Sequence, residues 1–184
     1  MTRFEVDALV ADCQVALGAD QPLTATRDAL ERVLVRPSSV ADVLERKEGG
    51  LEALHVSPDL TVLNVVWAPG MRLFPHDHRM WAAIGIYGGV EDNEFFRRGE
   101  DGLEASGGKR VVDGEVLLLG DDAIHAVANP LATYTGAIHV YGGDFFAEPR
   151  SEWDPKTLEE RPWDVDHARR AFAEANERYR TERD

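Results

Sequence analysis

Pro75-His76-Asp77-His78, followed much later by Gly120-Asp121-Asp122-Ala123-Ile124-His125-Ala126-Val127-Ala128-Asn129, is the pair of segments on which the reading of this chain turns. In a strand, side chains alternate between faces, so His76 and His78 project to one side roughly 7 Å apart along the backbone. His125, from a second strand, completes a set of three imidazoles spaced as a metal site requires. Neutral imidazole is a good ligand for first-row divalent ions.

The sequence around these segments reads as strands. From Leu51 to about Phe146 short apolar or alternating runs are broken by turn signals at Pro58-Asp59, Pro69-Gly70, Gly88-Gly89, Gly107-Gly108, Asp113-Gly114, Asn129-Pro130 and Gly142-Gly143. That pattern predicts an antiparallel β-barrel or two-sheet roll over residues 51–146. Before it, residues 1–50 read as helical. Val6, Val10, Cys13 and Leu17 keep helical spacing up to Gly18, a second helix fits Thr26 to Val35, and a third is expected to begin near Ser39, which with Asp42 resembles a capping box. Residues 147–184 turn polar and return to helical spacing from Asp164 to Arg180, with Ala168, Phe172, Ala175 and Tyr179 on one face. The whole reads as one domain, with the helical ends packed on the barrel or between subunits.

Composition narrows the partners. The 184 residues are 43% apolar and carry a formal net charge of −14, which disfavours nucleic acid and anionic membrane, since both select a basic face. The single cysteine, Cys13, lies in an apolar helical pattern and cannot pair within the chain. Together with a first segment that lacks a basic start and an apolar core, this predicts a cytoplasmic protein. The oligomeric state is left open, a homodimer included.

The two histidine segments resemble the paired signatures of the cupin superfamily, a double-stranded β-helix barrel. Gly70, His76, His78 and Gly85 or Gly88 match the first signature; Gly114, Gly120, His125 and Asn129 match the second. The glutamate that the first signature carries three or four residues after its HxH would fall at Ala82 or Ala83 and is absent. The resemblance therefore implies a metal held by His76, His78 and His125 alone. With Met80, Ala82, Ile84 and Ile86 on the same inward face, no oxygen ligand is expected nearby. Three neutral ligands leave the charge of the ion uncompensated, which favours an anionic substrate.

Three-histidine ferrous sites characterise the thiol dioxygenase branch of the cupins, the relatives of cysteine dioxygenase and 3-mercaptopropionate dioxygenase. That branch also carries a Ser-x-His-x-Tyr triad on a late strand, and Ala137-Ile138-His139-Val140-Tyr141 resembles it, with alanine in place of the serine. The resemblance implies Fe(II) as cofactor, a small thiol and O2 as reactants and a sulfinic acid as product, with Tyr141 held by His139 to donate a hydrogen bond in the pocket. The cysteine that crosslinks to the tyrosine in animal cysteine dioxygenases is absent, Ala83 standing nearest, so no crosslink is expected.

The branch anchors a substrate carboxylate on an arginine or another polar residue upstream of the first signature, where this chain has no arginine. Arg72, Arg79 and Arg97 are the candidates in its place, because a guanidinium suits bidentate pairing. His55 and His167 read as ordinary structural histidines, Phe74, Trp67 and Trp81 as barrel core, and Glu91-Asp92-Asn93 as turn chemistry. Two other functions fit the same residues: a noncatalytic metal-binding cupin that senses or stores a small anion, and a cupin isomerase or carbon-oxidising dioxygenase in which zinc, manganese or nickel replaces iron.

Overall fold

The computed structural model describes residues 3–100 and 102–183. Its centre is eight strands: β2 (Thr61–Trp67), β3 (Arg72–Asp77), β4 (Ala82–Gly88), β5 (Val90–Gly99), β6 (Gly102–Val112), β7 (Val116–Leu119), β8 (Ile124–Ala128) and β9 (Thr135–Tyr141), preceded by β1 (Gly50–Val56). One sheet runs β1-β2-β9-β4-β7 and the other β10-β3-β8-β5-β6, all antiparallel, where β10 is Ser151–Trp153 and β11 (Glu160–Pro162) adds outside it. Between β2 and β9 the chain changes sheet at every step except the β5–β6 hairpin. This is the winding of a jelly roll, in which two facing sheets bury one apolar face each.

The first sheet is buried on both sides, and for that reason β2, β4 and β9 show no exposed position. Its inner face places Leu63, Val65, Ala82, Ile84, Ala137 and Tyr141 in the barrel. Its outer face, with Val62, Ala83, Tyr87, Ile138 and Val140, is covered by helices α1 (Val6–Leu17), α2 (Pro22–Leu34) and α3 (Pro37–Ala41). Gly85 belongs to this packing: a Cβ there would stand 2.6 Å from Leu34 Cδ1, so glycine lets α2 settle on β4. Ala83 lies on that outer face, turned away from Tyr141, and a cysteine at this position would point under the helices instead of into the barrel.

Three expectations are corrected. The second helix starts at Pro22, four residues before Thr26, because proline at its first turn has no N–H to satisfy. The third starts on Pro37 with no side-chain cap, and Ser39 lies inside it, donating to the Arg36 carbonyl, so no capping box forms. The polar stretch after Pro149 holds β10 and β11, which extend the second sheet beyond the region read as β.

The final helix, α4 (Val165–Thr181), begins on Asp164, whose side chain accepts from Asp166 N. It closes the barrel mouth: Ala168, Phe172 and Ala175 join the interior cluster, and Phe172 stacks on Trp67 with ring centroids 5.2 Å apart. Asn176 ties this helix to β1 by donating to Gly49 O and accepting from Gly49 N, each at 2.8 Å. No helix among the described residues is long and apolar enough to cross a membrane. Phe172→Ala should cost about 3–5 kcal/mol of stability by urea unfolding, through the lost burial and the cavity beside Trp67. Val35→Ser, at a position 81% exposed, should stay within about 0.5 kcal/mol of the parent.

Candidate metal centre

β3 and β8 pair so that His76 stands directly opposite His125. The register slips between Leu73 and His76, and Pro75, which has no N–H for the ladder, sits in that irregular stretch. Without the slip, His76 would face Ile124 and its imidazole would miss His125. His78 follows just past the end of β3 and turns inward. The potential ligand atoms of His76, His78 and His125 all lie within 4.8 Å of one another, and all three residues are buried.

The hydrogen bonds select which nitrogen is free. His76 Nδ1 donates to the Phe74 carbonyl at 3.1 Å, and His125 Nδ1 donates to Asn93 Oδ1 at 2.8 Å, leaving both Nε2 atoms bare. His125 Nε2 and His78 Nε2 are 3.4 Å apart. Two ligands each about 2.1 Å from one ion at a tetrahedral angle are separated by about 3.4 Å. His78 Nδ1 is buried without a partner. Burial holds His76 and His78 well below the ordinary imidazole pKa, helped by the charge of neighbouring histidines and of Arg150, and His125 is held down to about 4 by burial against the opposing pull of Glu91. Three neutral, converging imidazoles fit a divalent metal.

Around them the interior is nearly closed. The free space between the histidines, Tyr141, Phe145 and Trp163 is about 20 Å³, close to what one water needs. The Tyr141 ring meets His78 edge-on at 5.0 Å. Its hydroxyl is 3.0 Å from His139 Nδ1, and His139 Nε2 is 3.2 Å from Glu91 Oε1. Glu91 also accepts from Trp67 Nε1 at 2.5 Å. Glu91 and Asn93 are thus not turn residues: they sit on the inner face of β5, where alternation brings Glu91, Asn93 and Phe95 to one side. Alternation of polar residues beyond Gly88-Gly89 was the available sequence signal for them, hidden by their turn-forming composition.

The arginines expected to anchor a substrate have other engagements. Arg72 is exposed and paired with Glu94, Arg97 with Glu104 across the β5–β6 hairpin, and Arg79 with Asp77 on the outer side of the HxH segment. The cation felt by all three clustered histidines is Arg150. Its guanidinium lies between the Phe145 and Trp163 rings, 4.0 and 3.9 Å from their centroids, and Nη1 donates to Asp77 O at 3.1 Å. Nε is buried with no partner, and no carboxylate oxygen among the described residues comes within 4 Å of this guanidinium. Burial lowers its pKa to about 10, which still leaves it charged at neutral pH.

The remaining residues of interest are structural. Asn129, matched to the second cupin signature, donates to the carbonyls of Trp67, Ala68 and Thr133 and binds no metal ligand. His167 bonds Glu152 and stacks on Phe74. Cys13 is buried, with its thiol pKa pushed up to about 12 chiefly by burial, and is unreactive.

No family model matches the chain. Among solved structures it is similar to a Bacillus halodurans protein, at 16% identity over 56% of this chain and 77% of that one, with a TM-score of 0.50. It also aligns with an RmlC-like cupin family protein of Methanocaldococcus jannaschii at 11% identity, over 55% of this chain and 86% of that one, TM-score 0.45. A cupin superfamily protein of Desulfitobacterium hafniense aligns at 18% identity, over 57% and 88%, TM-score 0.46. The fold is the cupin double-stranded β-helix. This chain's own strand orders give it that fold.

Adding a divalent ion such as Fe(II), Zn(II) or Mn(II) to metal-free protein should raise Tm, because the assembled triad exists only in the folded chain. His125→Ala should abolish the shift, and Asn93→Ala should weaken metal affinity roughly 10- to 100-fold in a competition titration. The metal-free protein should lose stability as pH falls. Unfolded histidines take up protons near pH 6.5 while the folded ones stay neutral until well below it, so the unfolded state binds more protons in that window. The loss is at most about 1.4 kcal/mol per pH unit for each histidine, read as a lower urea midpoint at pH 5 than at pH 7.

Proposed function

We propose that this protein is an Fe(II)-dependent thiol dioxygenase that converts a small thiol, RSH, and O2 into the sulfinic acid RSO2H. Both oxygen atoms go to sulfur, which is oxidised while O2 is reduced, and no further reductant is needed. The observation that carries the reading is the all-imidazole cluster, with Tyr141, bonded to His139, edge-on to His78 in the same interior. When bound, iron would supply thiolate formation and oxygen activation.

The chain's own residues account for the rest. Closing the interior with Phe145, Trp163 and α4 excludes bulk water, which strengthens every electrostatic contact inside. Tyr141 provides a hydroxyl at the pocket wall for the proton that the thiol releases. Arg150, buried without a carboxylate partner, supports a thiol that bears a carboxylate, since an anion reaching its free Nε–H would relieve a costly buried charge. The free space beside the histidines, about 20 Å³, limits what it admits to a small molecule. That tightness also favours a second reading, a noncatalytic cupin whose metal holds a small anion.

Oxygen uptake by ferrous-loaded protein separates the two. A panel of small thiols with and without a carboxylate should reveal uptake that stops in His125→Ala and falls at least about tenfold in Tyr141→Phe. Arg150→Met should raise KM for the carboxylate-bearing thiols more than for neutral ones. Iron binding without thiol-dependent uptake would favour the anion-holding reading.

A further inference from the structure

The serine missing from the Ser-x-His-x-Tyr pattern leaves His139 Nε2 in need of a partner, and a residue from another sheet supplies it. We propose that Glu91 is a positioning residue that fixes the tautomer of His139 and thereby makes the Tyr141 oxygen a hydrogen-bond acceptor toward the histidine cluster. The geometry is a line of three groups. Glu91 Oε1 lies 3.2 Å from His139 Nε2, and His139 Nδ1 lies 3.0 Å from the Tyr141 hydroxyl. All three are buried, with Glu91 0% exposed.

A carboxylate can only accept, so Nε2 must carry the imidazole proton. In the neutral imidazole Nδ1 is then bare and takes the single hydroxyl proton of Tyr141. The tyrosine oxygen is left with lone pairs alone to offer to whatever binds beside His78. Trp67 Nε1 donates to the same Oε1, and despite the cost of burial these donors keep the Glu91 carboxyl ionised, below its ordinary pKa. Glu91 Oε2 has no partner at all, so the carboxylate is held for what Oε1 does.

This rests on the proposed function only for its consequence. A thiol proton passes to the Tyr141 oxygen as the Tyr141 proton passes to His139 Nδ1, and the imidazolium that forms is balanced by the Glu91 carboxylate. Reversal on product release restores each group. No electrons move.

The test reads the tautomer directly, by long-range 1H–15N correlation of the histidines in 15N-labelled, metal-free protein. Wild type should show the His139 proton on Nε2, and a proton on Nδ1 would overturn the proposal. Tyr141→Phe should keep the Nε2–H form, whereas Glu91→Met should give a mixture of both. Loss of the Nε2–H form in the tyrosine variant, or its retention in the methionine variant, overturns it. If Glu91→Met does not fold, Glu91→Gln serves: its neutral oxygen should move the Nε2–H proton resonance upfield, and an unmoved resonance sinks the idea. With an oxidisable thiol in hand, Glu91→Gln should lower kcat roughly 10- to 100-fold with little change in KM. Should no thiol be oxidised by wild type, the functional reading falls while the tautomer result stands on its own.

Discussion

The pairing of β3 with β8 that sets His76 against His125 is the constraint on which this structure depends. In a sheet the side-chain period is two, and a slip of one residue exchanges the inner and outer faces. The irregularity around Phe74 and Pro75 absorbs one residue of β3 and leaves both Leu73 and His76 against the barrel interior. A proline in a strand is tolerated at such a place, where the ladder is already broken. The same local event that disturbs the sheet builds the histidine cluster.

Polar groups that enter a closed apolar barrel need partners, and β5 provides most of them. Asn93 receives the His125 N–H and Glu91 receives those of His139 and Trp67. From the opposite sheet, β9 contributes His139 and Tyr141 at alternate positions. The two sheets therefore meet over a polar strip set within an apolar core, with Leu63, Val65, Ala82 and Ile84 around it. Phe172 and Trp163 pack over the open end of the barrel.

The interior also holds one carboxylate and one guanidinium that do not pair with each other. Glu91 is partnered by His139, whereas Arg150 is held by carbonyls and by two aromatic faces. A buried cation stabilised by dipoles and π-systems alone is less well compensated than one facing a carboxylate. All three neutral histidines of the cluster feel Arg150, and His125 feels Glu91 as well. This distribution fits a site that receives an anion on the Arg150 side and a proton on the Glu91 side.

The sequence by itself determined the barrel strands up to β9 and the clustering of His76, His78 and His125, because alternation and turn chemistry are local and HxH needs only one extended segment to put two imidazoles on one face. It also determined the pairing of His139 with Tyr141, two residues apart on β9. It did not reveal Glu91, Asn93 or Arg150, and it offered Arg72, Arg79 and Arg97 instead. The reason is physical: a short polar run such as Glu91-Asp92-Asn93 has the same local composition whether it turns in solvent or lines a barrel. Which of the two occurs is decided by the sheet packed over it. Likewise Arg150 follows a proline in a polar tail, and only the return of that tail across the barrel mouth, as β10, β11 and α4, buries it between Phe145 and Trp163. Tertiary structure alone chose which charges the histidines meet.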